Sequence, residues 1–106
     1  DMREAPAISL INDLLSHGAE VHVYDPVAMR VARSIFGSKI IYASSSYDAL
    51  KGVDALAIVT EWNEFRGGDF VRMKKLMRSP VIFDGRNVFA IEQMKMHGFK
   101  YYSIGR

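Results

Sequence analysis

Gly18, Gly37, Gly52 and Gly98 share one local grammar: a stretch with helical spacing ends, the glycine follows, and within a few residues a β-rich run begins. A glycine just past a helix takes the left-handed conformation that closes it, and a short link then sets a strand beside the helix. Helices alternating with short apolar strands in this way lead to an α/β architecture. The pattern predicts a Rossmann-like three-layer α/β/α fold with a doubly wound, mostly parallel sheet of about five strands. At 106 residues, the chain fits a single domain spanning 1–106.

Helices are predicted over 6–17, 27–36, 70–77 and 91–97, with a brief one between Ser46 and Gly52. Pro6 suits a first helical turn, and Ala7, Leu10, Ile11, Leu14 and Leu15 follow helical spacing. Ser45 or Ser46 is an N-cap for the brief helix, and Asp69 for the helix after it. In that later helix Phe70, Met73 and Met77 share one side, leaving Arg72, Lys74 and Lys75 outward. Strands are predicted over 20–24, 39–42, 55–59, 81–83 and 99–104. The run Ala55-Leu56-Ala57-Ile58-Val59 is the most apolar and reads as the central strand. Val81-Ile82-Phe83 reads as a strand buried on both faces, the habit of parallel sheets. Because the chain opens on a helix, the strand feeding it is expected upstream. Asp1-Met2-Arg3-Glu4 accordingly reads as the start of an excised piece.

Composition narrows the function classes. Hydrophobic residues at 49% and charged residues at 25% describe a globular domain with a real core. The net charge of +2, without a basic run, favours a mixed solvated surface over nucleic-acid binding. No apolar run approaches the ~20 residues that span a bilayer. With no cysteine, the chain has no disulfide, no cysteine metal site and no cysteine nucleophile. G-x-G-x-x-G, G-x-x-x-x-G-K-[ST] and G-x-S-x-G are all lacking, and Gly67-Gly68 reads as a hinge-like pair. His17, His22 and His97 have no metal-ligand spacing, and two of them sit beside helix-ending glycines. Met73, Met77, Met94 and Met96 read as core or surface filler. No catalytic or metal-binding residue is assigned.

Binding chemistry is expected at the carboxyl ends of the strands, where ligands sit in open α/β sheets. Asp25-Pro26, Thr60-Glu61-Trp62 and Asp84-Gly85-Arg86-Asn87 are the polar turns placed there. Gly85 allows a tight bend or close approach. Arg86 offers a planar fork of donors suited to phosphate or carboxylate. Two readings of Arg86 stay open: an anion contact, or an ion pair with Asp84 or Glu61 that ties loops together. Asp25 reads as a turn-former, and Trp62 as a ring packed over a core edge.

At these turns the chain resembles the C-terminal, UDP-binding domain of the UDP-glucose 6-dehydrogenase family, within the UDP-glucose/GDP-mannose dehydrogenases. The resemblance is carried by Asp1-Met2-Arg3-Glu4-Ala5-Pro6, Val23-Tyr24-Asp25-Pro26, Thr60-Glu61-Trp62-Asn63-Glu64-Phe65, Phe83-Asp84-Gly85-Arg86-Asn87 and the ending Gly98-Phe99-Lys100-Tyr101-Tyr102-Ser103-Ile104-Gly105-Arg106. It implies a cytoplasmic enzyme of nucleotide-sugar metabolism that oxidises UDP-glucose to UDP-glucuronate with two NAD, through a thiohemiacetal and a thioester on a catalytic cysteine. It also implies partner regions: an N-terminal Rossmann domain holding NAD and a central helical region building a dimer. On this resemblance Arg86 contacts the UDP-sugar, and Arg3 reaches across a cleft to NAD. The family's substrate-contacting phenylalanine-lysine pair would lie upstream of Asp1, so the chain alone is expected to be inactive. The competing expectations are a dehydrogenase of another nucleotide sugar (a UDP-N-acetylhexosamine or GDP-mannose) and a non-catalytic module binding a small anion or a protein.

Overall fold

Helices and strands alternate along the chain as the glycine grammar predicts. The computed structural model describes residues 5–60 and 68–105. Arg3, Glu61, Trp62, Phe65, Gly67 and Arg106 lie outside the described residues. The elements are α1 (Ala5–Ser16), β1 (His22–Val23), α2 (Met29–Phe36), a 3₁₀ turn (Gly37–Lys39), β2 (Ile41–Tyr42), α3 (Ser46–Leu50), β3 (Leu56–Ile58), α4 (Phe70–Leu76), β4 (Val81–Asp84), α5 (Ile91–Met96) and β5 (Lys100–Ser103). Strand β1 pairs with β2, while β3, β4 and β5 form a second sheet in that order. Every pairing is parallel, so the fold is α/β and Rossmann-like. The chain divides into two compact units, Asp1–Ala49 and Leu50–Arg106.

In the first unit Val21, Phe36 and Ile40 are buried, with Ile8, Ile11 and Leu15 of α1 packed against them. Helix α1 closes at Gly18 (φ +83°). The Gly18 and Ala19 N–H groups donate back to the carbonyls of Leu15 and Leu14, each at 3.0 Å. These paired bonds make a Schellman cap, which L-residues with a Cβ form poorly. His17 Nδ1 sits 2.8 Å from the Asp13 carbonyl, so its ring caps the same helix end. Helix α2 starts later than its spacing predicts, because Asp25 Oδ1 accepts from the N–H of Val27 (2.8 Å) and Ala28 (3.1 Å). Asp25 is thus the turn-former its position before Pro26 suggests. Of the apolar spacing in α2, only Phe36 is buried; Val27, Val31 and Ile35 are exposed. Ser45 caps α3, its Oγ accepting the Asp48 N–H at 3.0 Å.

In the second unit the buried set is Leu50, Ile58, Met73, Met77, Ile82, Phe89, Met94 and Phe99. Three of the methionines therefore fill core space, while Met96 is 73% exposed. The Phe70 ring meets Phe89 edge-on at 5.4 Å and Phe99 at 6.5 Å, joining α4 to the segments that flank α5. Arg72, Lys74 and Lys75 are exposed as expected.

Two readings of the strands need correction. Among the described residues, β3 is an edge of its three-stranded sheet and β4 lies between β3 and β5. Apolar content reports burial and says nothing about which neighbours a strand pairs with. Strand β4 is also not buried on both faces: Ile82 has no exposed surface, whereas Phe83 is 49% exposed. Phe83 lies instead against Tyr102, its register partner, with ring centroids 5.1 Å apart and nearly parallel. A run of three apolar residues has no period, so it cannot reveal which side is covered.

Asp69 precedes α4 with extended backbone, and its Oδ1 accepts the Arg72 N–H at 3.0 Å. Replacing it with alanine leaves that first-turn amide without its side-chain acceptor. Asp69→Ala is expected to destabilise the fold by about 1 kcal/mol, read from the shift of a urea-unfolding midpoint.

Candidate functional site

The strands of the second sheet run in one direction and end in register, with Ile58, Asp84 and Ser103 side by side. The turn that leaves β4 therefore stands at the carboxyl rim, the edge to which open α/β sheets bring ligands. Its conformation is set by Asp84, which is 1% exposed. Asp84 Oδ1 accepts the Arg86 N–H at 3.0 Å, a side chain turning back on its own backbone two residues on. Asp84 Oδ2 accepts the N–H groups of Val88 (2.8 Å) and Phe89 (3.0 Å) and the Tyr101 hydroxyl (2.7 Å). Tyr101 is the register partner of Ile82 on β5, so its ring arrives from the neighbouring strand. The same hydroxyl is 3.1 Å from the Phe89 carbonyl, closing the turn at its far end.

This bonding decides what the turn can do. Successive backbone N–H groups curled around a concavity form a natural anion site. Here that concavity is filled by the protein's own carboxylate. The amides of Arg86, Val88 and Phe89 are spent on Asp84, so these three do not hold an external anion. Arg86 and Asn87 are the exposed residues of the turn. Asn87 has φ +53°, a left-handed conformation that asparagine tolerates better than most residues. The Asp84 carboxylate takes the backbone N–H of Arg86. Glu61, the other acid considered as a partner for Arg86, falls outside the described residues.

Gly85 is needed for space. Its N–H donates to the Ile58 carbonyl at 2.8 Å. A Cβ at this position would stand 3.0 Å from that same oxygen and 3.7 Å from Ile104 Cδ1. The close approach predicted for Gly85 is thus made by the end of β3.

Of the other sequence candidates, Asp25 lies in the first unit and is used locally, and Arg3 and Trp62 lie outside the described residues. His22 Nε2 sits 3.3 Å from Glu20, and His97 packs against the Phe70 ring at 5.0 Å. Among the described residues no group of three or more His, Cys, Asp or Glu side chains could hold a metal ion. Nor is any described helix long and apolar enough to cross a membrane. The residues that sequence reasoning passed over are Asp84, weighed only as a partner for Arg86, and Tyr101. An aspartate ending a strand just before glycine was a usable signal for Asp84; the Tyr101 contact spans 17 residues and had none.

The geometry orders the substitutions at this turn. Gly85→Ala forces a backbone carbonyl to move and is expected to cost about 1–2 kcal/mol. Asp84→Ala strips acceptors from the turn amides and is expected to cost about 3 kcal/mol or more. Chemical denaturation of the two variants beside the parent checks the order.

Comparison with known proteins places the chain. The model of the "UDP-glucose/GDP-mannose dehydrogenase family, UDP binding domain" matches residues 1–91. The UDP-glucose 6-dehydrogenase TuaD of Bacillus subtilis is 42% identical over 106 residues, covering 100% of this chain and 23% of the relative. The UDP-glucose 6-dehydrogenase of Rhizobium meliloti is 44% identical over 106 residues, covering 100% of the chain and 24% of the relative. That of Pseudomonas aeruginosa is 41% identical over 111 aligned residues, with the same coverage. The chain therefore spans 23–24% of the length of these curated relatives. The match takes in β4 and the whole of the turn that Asp84 organises, and the chain belongs to the UDP-glucose/GDP-mannose dehydrogenase family, as its UDP-binding domain.

Proposed function

We propose that this chain is the part of a UDP-glucose 6-dehydrogenase that holds the UDP-sugar, and that Arg86 is its principal contact to that substrate. The observation that carries the reading is Arg86 itself: an exposed arginine at the carboxyl end of β4, on a turn whose amides at 86, 88 and 89 bond to Asp84. The family description supports a UDP-containing ligand, and the names of the relatives support UDP-glucose as the substrate.

In this reading the complete enzyme oxidises UDP-glucose to UDP-glucuronate with two NAD, and this domain contributes binding. Arg86 donates charge-assisted hydrogen bonds to the UDP-sugar, in the paired geometry that a guanidinium offers to phosphate or carboxylate oxygens. Fixing the nucleotide end restrains the sugar while it is oxidised, which is a contribution of position. With no cysteine in the chain, the thioester chemistry falls to the rest of the enzyme.

NAD accepts the hydride when bound. The described residues do not fit it as a principal binding site, because they form no glycine-rich cradle and the amides at the end of β4 are taken by Asp84. Arg3 is the chain's proposed contact to NAD, and the dinucleotide is otherwise held by the remainder of the protein. The full-length enzyme is proposed to be a cytoplasmic homo-oligomer, with this domain packed against its N-terminal and central regions.

Arg86 tests the assignment. In the full-length enzyme Arg86→Ala is expected to raise the KM for UDP-glucose roughly 10- to 100-fold, the loss of one or two charge-assisted bonds. The KM for NAD should stay within about twofold, since the contact is to the other substrate. Arg86→Lys keeps the charge but loses the fork, and is expected to fall between parent and alanine. Steady-state kinetics that show an unchanged KM for UDP-glucose in Arg86→Ala would overturn the assignment.

A further inference from the structure

We propose that Tyr101 is a positioning residue for substrate binding, acting through Asp84 on the placement of Arg86. The inference rests on the reading of Arg86 as the UDP-sugar contact and extends it to a residue on a different strand.

The physical chain is short. The Arg86 side chain is exposed, and its backbone N–H is held 3.0 Å from Asp84 Oδ1. Asp84 is buried, so its other oxygen must be satisfied within the protein. Its donors are Val88, Phe89 and the Tyr101 hydroxyl, and the last is the shortest bond of the set at 2.7 Å. Val88 and Phe89 belong to the turn itself and move with it. Tyr101 stands on β5, paired in register with β4. It is the one side-chain donor in this set that ties the carboxylate to a neighbouring strand.

The next residue, Asn87, adds a reason why the tie matters. Its φ of +53° is a sparsely populated state that persists only where the surroundings impose it. A guanidinium that must meet a substrate at a set angle needs its backbone fixed to within about 0.5 Å. If the hydroxyl is lost, Asp84 keeps only donors that belong to its own turn, and the placement of Arg86 and Asn87 is no longer referred to β5. Tyr101→Phe keeps the ring and removes the hydroxyl, and with it the bond to Asp84 and the contact to the Phe89 carbonyl.

The experiment is a double-mutant cycle in the full-length enzyme, reading UDP affinity by titration calorimetry together with the KM for UDP-glucose. Tyr101→Phe is expected to weaken UDP binding and raise the KM for UDP-glucose by roughly fivefold to tenfold. In an Arg86→Ala background the same substitution is expected to change neither, because the group it positions is gone. A residue with a merely structural role would lower the fraction of active enzyme, and so the apparent kcat, without moving KM. Equal losses in both backgrounds, or parental UDP affinity in Tyr101→Phe while Arg86→Ala is impaired, would overturn the proposal and leave the role of Arg86 standing. Parental affinity in Arg86→Ala would instead remove the reading beneath it. Circular dichroism gives the folded fraction of each variant, and affinities are compared on that fraction, so that a loss of stability alone leaves the same outcomes deciding.

Discussion

The carboxylate of Asp84 is the interaction on which the candidate site depends. It stands at the end of β4, almost without exposed surface, and gathers hydrogen bonds from three turn amides and one tyrosine. Buried polar groups of this kind bring a large desolvation penalty, met here by complete hydrogen bonding. The arrangement makes a rigid exit from β4, with each bond sharing in the placement of the others. Gly85 belongs to the same construction, because a Cβ there would stand 3.0 Å from the Ile58 carbonyl, a tight contact.

Around this point the second unit is built from ordinary materials. Met73, Met94 and Ile82 close the interior, and Phe70 links the helix before β4 to the aromatic residues on either side of α5. Methionine suits such a place because its unbranched, polarisable chain fills irregular space between rings. The parallel register then fixes which side chains meet. Ile82 faces Tyr101 across the ladder, and one residue of slip would send the tyrosine hydroxyl to the other face of the sheet.

What could be read from residues alone follows the range of the forces involved. Gly18 and Gly98 were legible as helix ends because a positive φ is a local demand, and both adopt it. Asp25, Ser45 and Asp69 were legible as turn and cap residues for the same reason: each bonds to amides two or three residues away. The carboxyl end of β4 was legible as the place to seek a site, through its strand–glycine–arginine pattern. Strand position within the sheet was not legible, since pairing is decided by neighbours remote in sequence. The outward turn of Phe83 was hidden for a related reason, as nothing in Val81-Ile82-Phe83 distinguishes the covered face. The tie from Tyr101 to Asp84 was least accessible, because it depends on the register of two strands and on the reach of one ring.

The self-filled turn also separates two tasks that many phosphate-binding loops combine. Where backbone amides hold a ligand, the loop's shape and its selectivity are one property, and neither changes without the other. In this chain the shape belongs to Asp84 and its donors, the backbone N–H of residue 86 among them, and in the proposed reading recognition falls to the side chain at that position.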